Sequence, residues 1–351
     1  MTDPFPFEDP RRRCLKLEAW PEVDRQAWEA ALAPGDLLDG TVGPGNHWGP
    51  DTREKNRKGY GRWLTFLITS GQFDLNLTAA ERVTPESVTA YTAELGAQVA
   101  LWTVWGRLAE LLAAIKAMAP EEDWAWLRRV VGRLEAGLRP SKDKHSRLRP
   151  AAEIMDWGIT AMQRIQRNPP LRHPETSFRD ALIVALLIAC PTMRLRNLAM
   201  IEIGTHLVRL SDRYELRFAA TEMKARKPVD IPVPAVLTPY LDHYIDEVRP
   251  HLLAKAPAES PETRRLWITQ YGKPLRERML QKQITETTRR AFGRPINPHL
   301  FRDCAVTTVA LDDPKHIGIA PPILGHTDPR TTETVSYTHL TLPTTDVVCF
   351  C

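Results

Sequence analysis

Long uncharged apolar runs are missing from this 351-residue chain. The longest candidate, Ala181 to Cys190, has the length of a buried helix and falls short of a membrane span. Cysteine is sparse, at five residues. Cys190 ends an apolar run and Cys304 sits in another, so both read as small core residues in a reducing compartment. Cys349 and Cys351 have no partners at ligand spacing, so no metal site is expected. A large excess of one charge is also lacking. The net charge of +4 leaves the partner class open, because a near-neutral sum can hide a basic face opposite an acidic one. The opening residues are Asp, Glu and Pro rather than a basic stretch and an apolar core, so no secretory signal is expected and the cytoplasm is the expected compartment. Internal repeats and low-complexity stretches are absent.

What is present suits two domains. An apolar content of 43% over this length can fill two cores. Nine of the ten tryptophans precede residue 160, so the N-terminal half is packed rather than a tail. Residues 1–50 are rich in Pro and Gly and read as an extended arm around one short helix near Trp20 to Ala33. Residues 51–140 carry helical periodicity. Trp63, Phe66 and Leu67 share a face, and Thr84-Pro85-Glu86 is a helix start followed by Val88, Tyr91, Leu95, Val99, Trp102 and Trp105. Residues 141–160 open on a basic run, Lys142, Lys144, His145, Arg147 and Arg149, closed by Pro150. This is either a solvated linker or a strap along a phosphate backbone. In residues 161–333 a buried helix over Phe178 to Cys190 precedes a second from Leu195. Tyr214, Leu216 and Phe218, then Val229, Ile231 and Val233, alternate as strands flanking a turn. Helical spacing resumes over Val236 to Leu253 and Leu280 to Phe292.

Four basic elements in this second half can do chemistry on a phosphodiester. Cleavage by an oxygen nucleophile requires neutralising charge on the non-bridging oxygens, aiming the nucleophile, and protonating the departing oxygen. Guanidinium groups suit the first task, because their planar forks match phosphate oxygens and stay charged. A lysine or histidine suits the last, because its pKa can be tuned. Arg194 follows Thr192-Met193 at the break between two helices, where it could equally close a helix C-terminus. Lys224 lies in the basic turn Glu222-Met223-Lys224-Ala225-Arg226-Lys227, a kind of turn that is often simply solvated. His299 and Arg302 stand three apart at a helix start and so project to one side. Alone the pair could be a helix cap and an ion-paired Arg. Leu324-Gly325-His326 ends a helix on Gly and then presents an imidazole, followed by Thr331-Thr332.

Arg194, Lys224, His299-Leu300-Phe301-Arg302 and Gly325-His326, in that order, resemble the catalytic half of the tyrosine recombinase (phage integrase) family over about residues 175 to 333. The chain departs from the family's Gly-Leu-Arg-x-x-Glu-Leu by Thr192-Met193 for Gly-Leu and by Asn197 for Glu. The resemblance implies a mainly α (α+β) fold. An N-terminal helical bundle, core-binding and SAM-like, would precede a mostly helical catalytic domain with a small antiparallel sheet, the two forming a C-shaped clamp on double-stranded DNA. It implies site-specific cutting and rejoining through a 3′-phosphotyrosyl intermediate, for integration or recombination of a mobile element. Arg194 and Arg302 would clamp the phosphate, and Lys224 would be the general acid, with Arg226 and Lys227 as alternatives. His299 would orient or deprotonate, and His326 would donate to a non-bridging oxygen. Lys142, Lys144, Arg147, Arg149 and Arg226 would contact DNA. Neither metal nor nucleotide cofactor would be needed, since the covalent bond conserves the energy. Synapsis would require a homotetramer on DNA, with no membrane partner.

The family pattern places its tyrosine at Val335, whereas this chain has Tyr337. Residues 335–344, Val-Ser-Tyr-Thr-His-Leu-Thr-Leu-Pro-Thr, resemble the translation of a transposon-end adapter used in preparing sequencing libraries. The expectation is that native sequence stops near Glu333, that 334–351 is a non-native tail, and that Tyr337 is an accident of the code. A two-residue insertion in a genuine recombinase is the alternative. A DNA-binding protein without strand transfer and a type IB-like topoisomerase are the competing functions.

Overall fold

One glycine in a buried helix, Gly61, decides how the opening segment of the chain packs. The computed structural model describes residues 9–35, 42–139, 145–223 and 225–312. It comprises two compact units, Met1–Ser141 and Lys142–Cys351. The first contains α1 (Glu22–Leu32), α2 (Pro50–Thr69), α3 (Pro85–Gln98), α4 (Leu101–Met118) and α5 (Ala125–Ala136). Tyr60 to Leu67 of α2 are all buried. Gly61 lets the preceding chain lie against it: the Leu15 N–H donates to the Gly61 carbonyl at 2.9 Å, and a Cβ at Gly61 would meet the Leu15 carbonyl at 2.3 Å. Residues from the expected arm therefore belong to this core. Trp20 and Trp28 are buried with Tyr60, and the Trp20 ring meets those of Trp28 and Tyr60 edge-on at 5.7 and 4.9 Å.

The Thr84 start is formed as the residue types dictate, with Thr84 Oγ1 accepting from the Ser87 N–H and Pro85 in the first turn. The apolar stripe behind it is not continuous. One helix ends at Gln98 and the next begins at Leu101, so Val88, Tyr91 and Leu95 are buried whereas Trp102 is 47% exposed. The Trp102 indole instead donates to the Arg139 carbonyl at 3.0 Å.

A buried charge cluster ties three segments of this unit. The Asp24 carboxylate accepts from the Tyr60 hydroxyl at 2.8 Å and from the Arg82 guanidinium, and both Asp24 and Arg82 are buried. Burial raises the Asp24 carboxyl above its ordinary range, against the pull of Arg82 and Tyr60.

The second unit runs α6 (Ala151–Arg167), α7 (Pro174–Ala189), α8 (Leu195–Met200), β1 (Leu207–Arg209), β2 (Tyr214–Phe218), β3 (Val229–Pro232), α9 (Thr238–His243), a π turn (Tyr244–Val248), α10 (Arg249–Leu253), α11 (Glu277–Phe292) and α12 (Pro298–Asp312). Thus the fold is mainly helical with a small three-stranded antiparallel sheet. Helix α6 starts inside the stretch read as a linker, because Ala151, Ile154, Gly158 and Ala161 give it a face for α7. A Cβ at Gly158 would stand 2.9 Å from that of Ala185. Helix α7 is buried nearly all round from Phe178 to Ile188, which marks it as the central helix of this core. Its one buried cation, Arg179, donates to the Ile268 carbonyl at 2.6 Å and to Asp180.

The strands lie in the order β1-β2-β3, with Leu216 opposite Leu207 on one side and Ile231 on the other. Tyr214, Leu216 and Phe218 are buried while Arg217 faces out, as an alternating strand requires. Among the described residues no helix is long and apolar enough to cross a membrane.

Replacing Asp24 with Ala strands the Arg82 cation in the core. The expected loss is about 3–5 kcal/mol of unfolding free energy, read from the urea midpoint at unchanged m-value.

Candidate phosphate-binding site

Two helix starts bring the candidate arginines together. After α7 the chain turns at Pro191, where the Met193 N–H donates to the Cys190 carbonyl at 3.0 Å and the Met193 side chain is buried. Arg194 then occupies the N-cap position of α8 in an extended conformation, φ −92° and ψ 162°. Its N–H donates to Asn197 Oδ1 at 3.3 Å. Helix α12 begins beyond Asn297, whose Oδ1 accepts from the N–H groups of His299 and Leu300, each at 3.1 Å. Leu300, Phe301 and Cys304 fix α12 in the core. Arg302, 7% exposed, donates through Nη2 to the carbonyl of Thr192, two residues before Arg194.

The electrostatics follow from that placement. Burial lowers the Arg194 guanidinium below its ordinary value. Arg302 is pushed down to about 10, by burial first and by repulsion from Arg194 second, partly offset by Asp303. Two cations held close and partly desolvated are relieved by an anion that engages both, and a phosphate presents oxygens enough to do so. His299 is exposed on the first turn of α12, three residues before Arg302.

The turn between β2 and β3 is bound to the same region. Asn197 Nδ2 donates to the Glu222 carbonyl at 3.2 Å and lies 3.5 Å from Met223 Sδ. The Glu222 carboxylate accepts from the Ala219 N–H at 2.8 Å and pairs with His206 Nε2 at 3.0 Å. Because His206 Nδ1 accepts from the Glu202 N–H at 3.1 Å, the ring hydrogen sits on Nε2 and is donated to Glu222. That bond holds the Glu222 carboxyl below its usual range. Arg226 follows in the turn, exposed and left-handed at φ 51°, with its N–H donating to the Met223 carbonyl.

Other expected residues fall differently. Lys224, His326, Tyr337, Lys142 and Lys144 lie outside the described residues, as does the whole of 334–351. Arg147 is half-buried in a 3-10 turn. Arg149, read as part of a DNA strap, has protein partners: its N–H faces Cys304 Sγ and its Nη2 the Phe292 carbonyl, both at 3.5 Å. Burial pushes the Cys190 thiol up to about 12 and Cys304 up to about 11, so both stay protonated core groups. Among the described residues no cluster of three His, Cys, Asp or Glu could hold a metal. Asn197, His206 and Glu222 were not singled out from the sequence. Asn197 was visible only as a departure from a pattern, and His206 sits in a turn with no periodicity to mark it.

Comparison with known proteins bears on this arrangement. No family model matches the chain. Over 165 residues it is 28% identical to tyrosine recombinase XerD of Staphylococcus saprophyticus and 31% identical to that of Staphylococcus haemolyticus. Each alignment covers 46% of this chain and 50% of the relative, so the chain spans about half the length of the curated relatives it matches. Among solved structures, XerH site-specific recombinase bound to a palindromic difH substrate, a post-cleavage complex, superposes with a TM-score of 0.52 at 12% identity. That superposition covers 92% of this chain and 95% of the other. The chain carries the tyrosine recombinase fold. That likeness is one of fold, a mainly helical architecture with one small antiparallel sheet.

The Asn297 side chain carries the start of α12, on which Arg302 depends. Asn297→Ala should lower stability by about 1 kcal/mol, seen as a lower thermal midpoint with helix content retained.

Proposed function

We propose that this chain is a site-specific DNA recombinase or integrase, built to cut and rejoin duplex DNA through a phosphotyrosyl intermediate. The observation that carries the reading is the buried Arg302, whose Nη2 donates to the Thr192 carbonyl two residues before Arg194 and whose charge is disfavoured by that of Arg194. A backbone phosphate entering there would receive charge-assisted hydrogen bonds from both, and these strengthen as negative charge builds on its non-bridging oxygens. His299, exposed on the first turn of α12 three residues before Arg302, would orient the same phosphate or take the nucleophile's proton. Lys224 would supply the proton for the departing 5′ oxygen, and His326 a further donor to the phosphate. The sequence similarity to XerD and the fold shared with XerH support this assignment. The partner in this reading is double-stranded DNA, with a homotetramer assembling on it at synapsis.

The nucleophile is the test of the reading. A nicked duplex that traps the covalent adduct separates the outcomes. Trapping that survives in the parent and is lost in Tyr337→Phe makes Tyr337 the nucleophile. Tight binding without adduct, with trapping gained once the native sequence beyond Glu333 is restored, makes the tail non-native. Relaxation of supercoils without exchange between sites would replace recombination by topoisomerase action.

Arg194→Ala and Arg302→Ala should each weaken duplex binding by about 1.5–3 kcal/mol, the range for hydrogen bonds to charged groups. The double variant should lose less than the sum, since both engage one phosphate. Fluorescence anisotropy at fixed salt measures all three.

A further inference from the structure

The basic turn between β2 and β3 presents its described cations, Arg226 and Lys227, to solvent. Its tip is closed by a main-chain bond from the Arg226 N–H to the Met223 carbonyl. What fixes it lies at its base. Glu222 is held at both ends: its carbonyl accepts from Asn197 Nδ2, and its carboxylate accepts from His206 and from the Ala219 N–H. His206 is itself rigid. It is buried, its Nδ1 accepts from the Glu202 N–H, its carbonyl accepts from the Arg217 N–H at 2.8 Å, and its ring lies 5.5 Å from that of Phe218 at 30°. The buried face of the sheet is thereby connected through one imidazole to the start of the exposed turn.

We propose that His206 and Glu222 are positioning residues that aim the β2–β3 turn, and with it Arg226, at a phosphate of the DNA backbone. The inference rests on the recombinase reading and deepens it by naming what sets the turn's direction. A charge delivered by an aimed turn neutralises one phosphate and displaces its counterion. On a turn left to fluctuate, the same charge remains near the DNA but loses that fixed contact.

Salt-dependent binding of the full chain to a short generic duplex tests this, since each phosphate contact contributes about one unit to the slope of log affinity against log salt. Glu222→Ala and Arg226→Ala are each expected to lower the slope by about one, and the double variant by no more than either alone. Glu222→Gln keeps one oxygen to accept from the His206 Nε2–H but loses the acceptor for the Ala219 N–H, so it is expected to recover only part of the slope lost in Glu222→Ala. His206→Phe, which keeps the contact with Phe218 but loses both ring hydrogen bonds, should reproduce Glu222→Ala. An unchanged slope in Glu222→Ala and His206→Phe, or additive losses in the double variant, would overturn the proposal. So would an unchanged slope in Arg226→Ala, which would show that the turn makes no phosphate contact. If that happens while Arg194→Ala and Arg302→Ala still weaken binding, the functional reading stands without this device. If those two variants are also silent, the reading itself falls.

Discussion

A guanidinium buried against a main-chain carbonyl does most to assemble this molecule's candidate centre. Arg302 reaches from α12 to Thr192, in the turn between α7 and α8. The bond joins two segments far apart in sequence, each seated on the core around α7. The bond also accounts for the electrostatics. It holds one cation where burial and a second cation both disfavour it, a state the protein sustains because Leu300, Phe301 and Cys304 bind α12 firmly in place. Such strain is tolerable where an incoming anion is expected to relieve it.

The same economy recurs elsewhere. In the N-terminal unit Asp24, Tyr60 and Arg82 place an ion pair inside an apolar cluster, and in the C-terminal unit Arg179 caps the Ile268 carbonyl from within the central helix. These groups do not resemble a site for chemistry, because each lies deep in the core of its own unit. Arg194 and Arg302 differ in standing at helix starts, near an exposed histidine.

Much of this was legible in the sequence, for identifiable reasons. Long periodic segments announced α2, α3, α7 and α11, and strict alternation announced β2 and β3. Strand β1 was not legible, because three residues are too few to show a period. The spacing is long enough for two helices, but where α3 gives way to α4 was not legible, because Val99 and Trp102 continue the apolar pattern past the point where the chain turns. The segment read as an arm was rich in Pro and Gly, which suggested extension. Gly61, lying on another helix, is what lets it pack. For the site, Arg194 and Arg302 could be named from motif and order, and their proximity required coordinates. Arg149 shows what a basic run conceals: its main-chain N–H meets the Cys304 thiol and its guanidinium the Phe292 carbonyl, contacts that charge pattern does not reveal.

Asn197 stands where the related pattern carries a glutamate, and the exchange is more than a loss of charge. Its amide accepts from the Arg194 N–H on one side and donates to the Glu222 carbonyl on the other. A carboxylate has no proton to give, so an acid here would set its oxygen against that carbonyl and push the strand connection away. Because the acceptor at 222 is main chain, the constraint falls on position 197 alone: the connection stays tied to the start of α8 only while residue 197 can both accept and donate.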